Sequence, residues 1–211
     1  IINGTEEKFL IQLFTELQEK KNVRSNLSAL RASLKEATEE QKAQAIEFVR
    51  GHEDLVFGFL QEEDAKTRKN AALLLGDLAV QNALQPLWKA YTREQTLFVK
   101  SAYLEAMKAL HAEEILSQLK DRLAELEGEP VTEENRKHWE AELRALRAIL
   151  LQYEGIDTHH FDIKQKNNHV LLVTNRNHRG ILENQTGGKA HPLGVIVQTD
   201  DLLQLLQIRT Y

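Results

Sequence analysis

Apolar residues recur at three- and four-residue intervals through the first 150 positions and then give way to short β-branched runs. Over residues 5–20, Phe9, Leu10, Leu13, Phe14 and Leu17 share one helical face behind Glu6 and Glu7, whose charge suits the positive end of a helix. A second helix is predicted near 23–37 on Leu27, Leu30 and Leu34. Thr38 and Gln41 have the spacing of a capping box and open a third helix through Ile46 and Val49. Asp54, Asp64, Asn82 and Thr96 then precede successive apolar-periodic segments, each placed as an N-cap. The break at Gly128 and Pro130 is followed by Thr132, which opens a long helix through Trp139, Leu143, Leu146, Ile149 and Leu150 to about Tyr153. Gly155 stands where a left-handed C-cap would end it.

The segment from Asp64 to Leu78 is the most informative. Asp64 caps, and Ala71, Leu74, Leu75 and Leu78 form a stripe that needs neighbouring helices to bury it, with Ala71 and Gly76 small enough for close approach. A shift of 32 residues lays Thr67 and Arg68 on Val99 and Lys100, Leu74 and Leu75 on Ala106 and Met107, and Leu78 on Leu110. Leu87 falls on Leu119 and, backward, on Leu55. Recurrence of this kind implies stacked copies of one helical hairpin. The order Asp64, Arg68, Ala71, then Leu-Gly-x-Leu over 75–78 resembles HEAT repeats of the phycobilisome-lyase type. The expected fold is mainly α: a HEAT-like array over residues 1–154, closed by the long last helix.

After Gly155 the pattern changes period. Residues 159–164 alternate, and 169–174 and 193–199 are compact runs of strand length. Residues 175–185 are predicted as a helix, 186–192 as a loop, and Thr199 as the cap of a last helix through Leu202, Leu203, Leu205 and Leu206. The order β-β-α-β-α makes residues 155–211 a small α+β domain with strand order open.

Charge is unevenly spread. The net −5 divides into +1 over residues 155–211 and −6 over 1–154, and five of eight histidines lie in the C-terminal part. Phosphates would meet that part first, whereas an acidic array suits a basic protein partner. Without cysteine there are no disulfides or thiolate ligands. No apolar run approaches the roughly 20 residues that cross a bilayer, so no membrane partner is expected.

Catalytic signatures are missing. The ten glycines include no Gly-x-Gly phosphate or cofactor turn, and there is no Gly-x-Ser-x-Gly elbow, His-Glu-x-x-His or thiol nucleophile. His159 and His160 precede Asp162, but adjacent strand residues point to opposite faces, so no metal site is assigned. The block Asn175, Arg176, Asn177, His178 and Arg179 follows a strand and opens a helix, where amides and guanidinium groups face an anion together. Arginine binds phosphate bidentately and stacks on bases, which fits RNA. A polar helix start, with both arginines on Glu183 or the acidic helices, fits the block equally well. Lys164, Lys166 and Lys189 are read as loop lysines that could extend the same surface, though ordinary solvated loops have this composition too. Trp88, Tyr91, Tyr103 and Trp139 are read as core residues on apolar helix faces.

The helical succession, the charged last helix ending at Gly155, residues 170–179 (Val-Leu-Leu-Val-Thr-Asn-Arg-Asn-His-Arg) and the closing Ile208-Arg-Thr-Tyr211 together resemble the N-terminal region of bacterial S-adenosylmethionine-dependent RNA methyltransferases. In that family such a region precedes a Rossmann-like domain related to the THUMP-associated methylases. The resemblance implies a cytoplasmic, non-catalytic recognition fragment for RNA, with a protein-binding HEAT adaptor as the alternative. It places the cofactor in a domain beyond Tyr211. Because the glycine turn is missing, calorimetry of this chain with millimolar S-adenosylmethionine is expected to give no saturable heat; specific binding would overturn the fragment reading.

Overall fold

Helices account for most of the protein, with a small antiparallel sheet near its C-terminal end. The computed structural model describes residues 4–110, 113–153, 161–166, 169–174, 179–180, 183 and 187–198. Two compact units divide the chain, residues 1–112 and 113–211. The last two helices group with the sheet in the second unit.

The first unit contains α1 (Gly4–Gln18), α2 (Val23–Leu34), α3 (Glu39–Gly51), α4 (Glu53–Phe59), α5 (Ala65–Asp77), α6 (Leu84–Arg93) and α7 (Leu97–Ala109). Helix α2 packs on α1, α5 on α4 and α7 on α6, while α2, α5 and α7 also touch in succession as a row with α5 at its centre. The 32-residue shift carries the bounds of α5 onto those of α7. Leu10, Leu13 and Leu17 of α1, Leu27 and Leu30 of α2, and Ala71, Leu74 and Leu75 of α5 are buried as their spacing requires. Phe9 of the α1 stripe is instead exposed, and Phe14 stacks on Phe48 of α3 with centroids 4.5 Å apart.

Local signals explain several boundaries. The Thr38 side chain accepts from Gln41 N while Gln41 accepts from Thr38 N, the reciprocal box that starts α3. Asp64 accepts from Thr67 N at 2.8 Å and starts α5. Asp54, Asn82 and Thr96 do not act as the expected caps. Asp54 lies within the first turn of α4, and Asn82 sits in a 3-10 turn where its amide reaches Glu53 at 3.1 Å. Thr96 holds the N-cap position of α7 without a side-chain cap bond; its own backbone amide donates to Glu94, and the Val99 amide donates to the Thr96 backbone carbonyl. Helices α1 and α5 both end on left-handed residues, Lys20 (φ 54) and Ala79 (φ 50), with the following amide reaching back to Glu16 O and Leu75 O.

In the second unit, α8 (Leu116–Gly128) packs against α9 (Arg136–Tyr153), and α9 also packs on the sheet. Thr132 and Asn135 exchange side-chain and backbone hydrogen bonds, so α9 begins after that turn and not at Thr132 itself. Strands β1 (Phe161–Lys166), β2 (His169–Thr174), β3 (Lys189–His191) and β4 (Gly194–Gln198) form one sheet of order β1-β2-β4-β3, antiparallel throughout. Residues 189–191, expected in a loop, pair with β4 because Gly187 (φ 67) turns the chain and Gly188 lies against it. A Cβ on Gly188 would stand 2.5 Å from Val195 and 2.7 Å from Ile196 O. Arg179, Gly180 and Glu183 are helical; the rest of the helix expected over 175–185, Gly155 and the closing helix lie outside the described residues.

Gly76 sets the distance between α5 and α7. A Cβ there would meet the Ala106 Cα at 2.9 Å, whereas one on Gly58 would meet nothing within 4 Å. Gly76→Ala is expected to lower stability by about 1–3 kcal/mol in chemical denaturation, since two backbones must separate. Gly58→Ala is expected to raise it by about 0.5–1 kcal/mol through helix propensity. Equal responses would show that the α5–α7 contact is loose.

Candidate functional site

Three backbone segments of the first unit converge on Arg68. From the first turn of α5 its Nη1 donates to the carbonyls of Glu62 and Glu63, both at 2.8 Å, fixing the α4–α5 connection. Its Nε and Nη2 donate to the two carboxylate oxygens of Glu94 at 2.8 and 2.9 Å, a fork-to-fork pair with the α6–α7 connection. Glu94 Oε1 also accepts from the amides of Gln95 and Thr96, and the Tyr103 hydroxyl donates to Oε2 at 3.2 Å. The Glu94 side chain is 4% exposed and that of Arg68 17%.

Protonation follows from these contacts. Burial pushes the Glu94 carboxyl up, but Arg68, the Thr96 amide and Tyr103 more than offset it and hold the group below the usual glutamate range. Burial, reinforced by the Glu94 charge, pushes the Tyr103 phenol well above its ordinary value. The result is a fixed carboxylate and a fixed phenol with their hydrogen bonds spent on structure. Neither is placed as a general acid or base near neutrality.

Beside this network lies a groove of about 830 Å³ lined by Phe57, Pro86, Trp88, Arg93, Gln95 and Tyr103 among others. Trp88, expected in the core, is only partly buried here and stacks on the buried Tyr91 at 5.4 Å. Trp139 is likewise partly buried, its indole N–H donating to Leu126 O at 2.6 Å. Tyr91 and Tyr103 are buried as expected, but the role of Tyr103 beside Glu94 has no local sequence signal.

Two of the expected cations share a register in the second unit, on opposite edges of the sheet. Lys164 and Lys166 lie within β1 and Lys189 within β3, so none of the three is a loop residue. Pairing aligns Lys164 with Leu171, Leu171 with Ile196, and Ile196 with Lys189, one row across all four strands. Strand alternation sets Leu171, Ile196 and Lys189 opposite Val195 and Val197, which are buried. Lys189 is exposed. Arg179 braces the fold, since its Nη2 donates to Pro192 O at 3.0 Å and so holds the β3–β4 turn, while its Nε is enclosed without a hydrogen-bond partner. Asn175, Arg176, Asn177 and His178, like His159 and His160, lie outside the described residues. Among the described residues no group of three or more His, Asp or Glu is arranged to hold a metal ion, and no helix is long and apolar enough to cross a membrane.

No family model, curated protein or solved structure matches this chain.

Stability should depend on pH at both extremes through the Arg68 network. Glu94 has a lowered folded pKa, so its contribution is complete above the unfolded value of about 4.3 and declines as pH falls below it. Tyr103 has a raised folded pKa, so its contribution is complete below about 10 and declines as pH rises further. Denaturant melts are expected to show the acid loss flattened in Glu94→Gln and the alkaline loss flattened in Tyr103→Phe. At neutral pH Glu94→Gln is expected to cost about 3 kcal/mol, because Arg68 is left without its charged partner.

Proposed function

We propose that this chain is a HEAT-like recognition module without catalytic residues of its own, which holds structured RNA for a methyltransferase domain elsewhere in a larger bacterial protein. The observation that carries the reading is the register that aligns Lys164 and Lys189 in one row across the sheet, with Lys189, Leu171 and Ile196 on the side opposite the buried valines. Such a face meets phosphates with lysine and leaves Leu171 and Ile196, both partly exposed, for sugar and base contact. The resemblance of residues 170–179 to the RNA methyltransferase region supports the same assignment. Stacked hairpins, with α2, α5 and α7 in a row, support the HEAT-like description.

A protein-binding adaptor is the second reading, favoured by the groove beside Trp88. Partly buried Trp88, Phe57 and Pro86 offer the aromatic and apolar anchors that peptide docking uses. Fluorescence titration with unmodified tRNA at several salt concentrations separates the two readings. RNA recognition requires binding at 50 mM salt that weakens steeply with salt, and Lys164→Ala with Lys189→Ala is expected to lower affinity about tenfold. Absence of binding at low salt overturns the RNA reading and favours the adaptor.

A further inference from the structure

Charge in the first unit is nearly balanced, 15 Lys and Arg against 16 Asp and Glu over residues 1–112, but it is unevenly spread among the helices. α1 and α4 carry Glu6, Glu7, Glu16, Glu53 and Asp54 against Lys8 alone, whereas α2 carries Arg24 and Arg31 with no carboxylate. α5 adds Lys66, Arg68 and Lys69 against Asp77. Among these four helices the carboxylates gather on α1 and α4 and the cations on α2 and α5, while α3 and α7 carry both signs.

Part of this charge is used within the fold. Arg31 is paired with Asp77 at 2.8 Å, and Arg68 with Glu94. Arg24, Lys66 and Lys69 are not held so closely. The Arg24 guanidinium is 3.7 Å from Asp64 with half its side chain exposed, and neither Lys66 nor Lys69 forms an ion pair among the described residues. Between α2 and α5 lies a concavity of about 500 Å³ lined by Asn22, Val23, Arg24, Ser25, Ser28, Lys66 and Asn70, with no carboxylate among them. Lys69 continues the line, its ammonium 6.0 Å from the ring centre of Phe98 on α7, and Phe98 is 47% exposed.

We propose that this ridge, from Arg24 through Lys66 and Lys69 to Phe98, is a binding track for a single-stranded or looped segment of RNA. The inference rests on the RNA reading above and gives the first unit a direct share in it. Lys66 and Lys69 are one helical turn apart, about 5–6 Å between their Cβ atoms, and Arg24 stands on the adjacent helix, roughly 8–10 Å away. Cations at these intervals follow a phosphate backbone. Ser25, Ser28 and Asn70 supply the neutral donors that accompany lysine and arginine on phosphate oxygens. An exposed aromatic ring at the end of a cationic groove is a stacking platform for a base. An acidic peptide fits less well, because the concavity has Val23 as its only apolar lining residue and offers no pocket for an anchoring side chain.

A fluorescein-labelled 20-nucleotide single-stranded RNA, titrated with the whole chain from 50 to 300 mM salt, tests this. Lys66→Ala with Lys69→Ala is expected to reduce the slope of log K against log salt by roughly 1.4 and affinity at least tenfold. Phe98→Ala is expected to lose roughly tenfold at unchanged slope, because it removes stacking and not charge. Thermal melts of both variants establish that they remain folded. A lysine variant that keeps wild-type affinity and slope overturns the ridge and leaves the RNA reading standing. Wild-type protein that binds no RNA at 50 mM salt overturns both, as does a ridge that takes poly-glutamate in preference to RNA.

Discussion

The guanidinium of Arg68 decides how two successive helical hairpins meet. Two backbone carbonyls on one side and a buried carboxylate on the other take four of its donor contacts, so the α4–α5 and α6–α7 connections cannot shift independently. Glu94 in turn satisfies the amides of Gln95 and Thr96, which would otherwise open α7 unpaired. The arrangement works because each polar group has a partner; a buried pair missing one member would be among the most costly defects available to the fold. Packing of α5 on α7 depends on that anchoring, since the approach at Gly76 leaves no room for misalignment.

Much of the helical unit is legible in the sequence because its signals are local. Thr38 with Gln41 and Asp64 with Thr67 are contained within four residues, and the stripe of Ala71, Leu74 and Leu75 needs only periodicity to be seen. The partnership of Arg68 with Glu94 spans 26 positions and has no such signature. Thr96 stands at the N-cap of α7 as its position suggests, yet it is Glu94, two residues earlier, whose carboxylate takes the Thr96 backbone amide. Trp88 reads as core by its spacing, but a helix turned beside a groove leaves one edge of the indole open.

The sheet is less legible. Residues 169–174 and 194–198 are rich enough in valine, leucine and isoleucine to be read as strands. Lys189, Ala190 and His191 are not, and they form a strand through the two preceding glycines, which steer the backbone alongside β4. Arg179 is legible as a cation but not as the clamp on Pro192, because its partner is a backbone carbonyl 13 positions away. The candidate RNA surfaces likewise arise from pairing and packing: Lys164 meets the row of Lys189 by strand order, and Arg24 meets Lys66 by the contact of α2 with α5.

The central place of α5 has a consequence for how the first unit opens. Local unfolding exposes elements that few others cover, and a helix at the end of a row detaches while its neighbours persist. α5 has no such route: residues 71–76 are buried without interruption, with α2 on one side and α7 on the other. Freeing it means giving up both contacts in one event. Its amides therefore exchange with solvent only through the largest opening available to the unit, which makes α5 the reporter of global stability and its flanking helices the reporters of fraying.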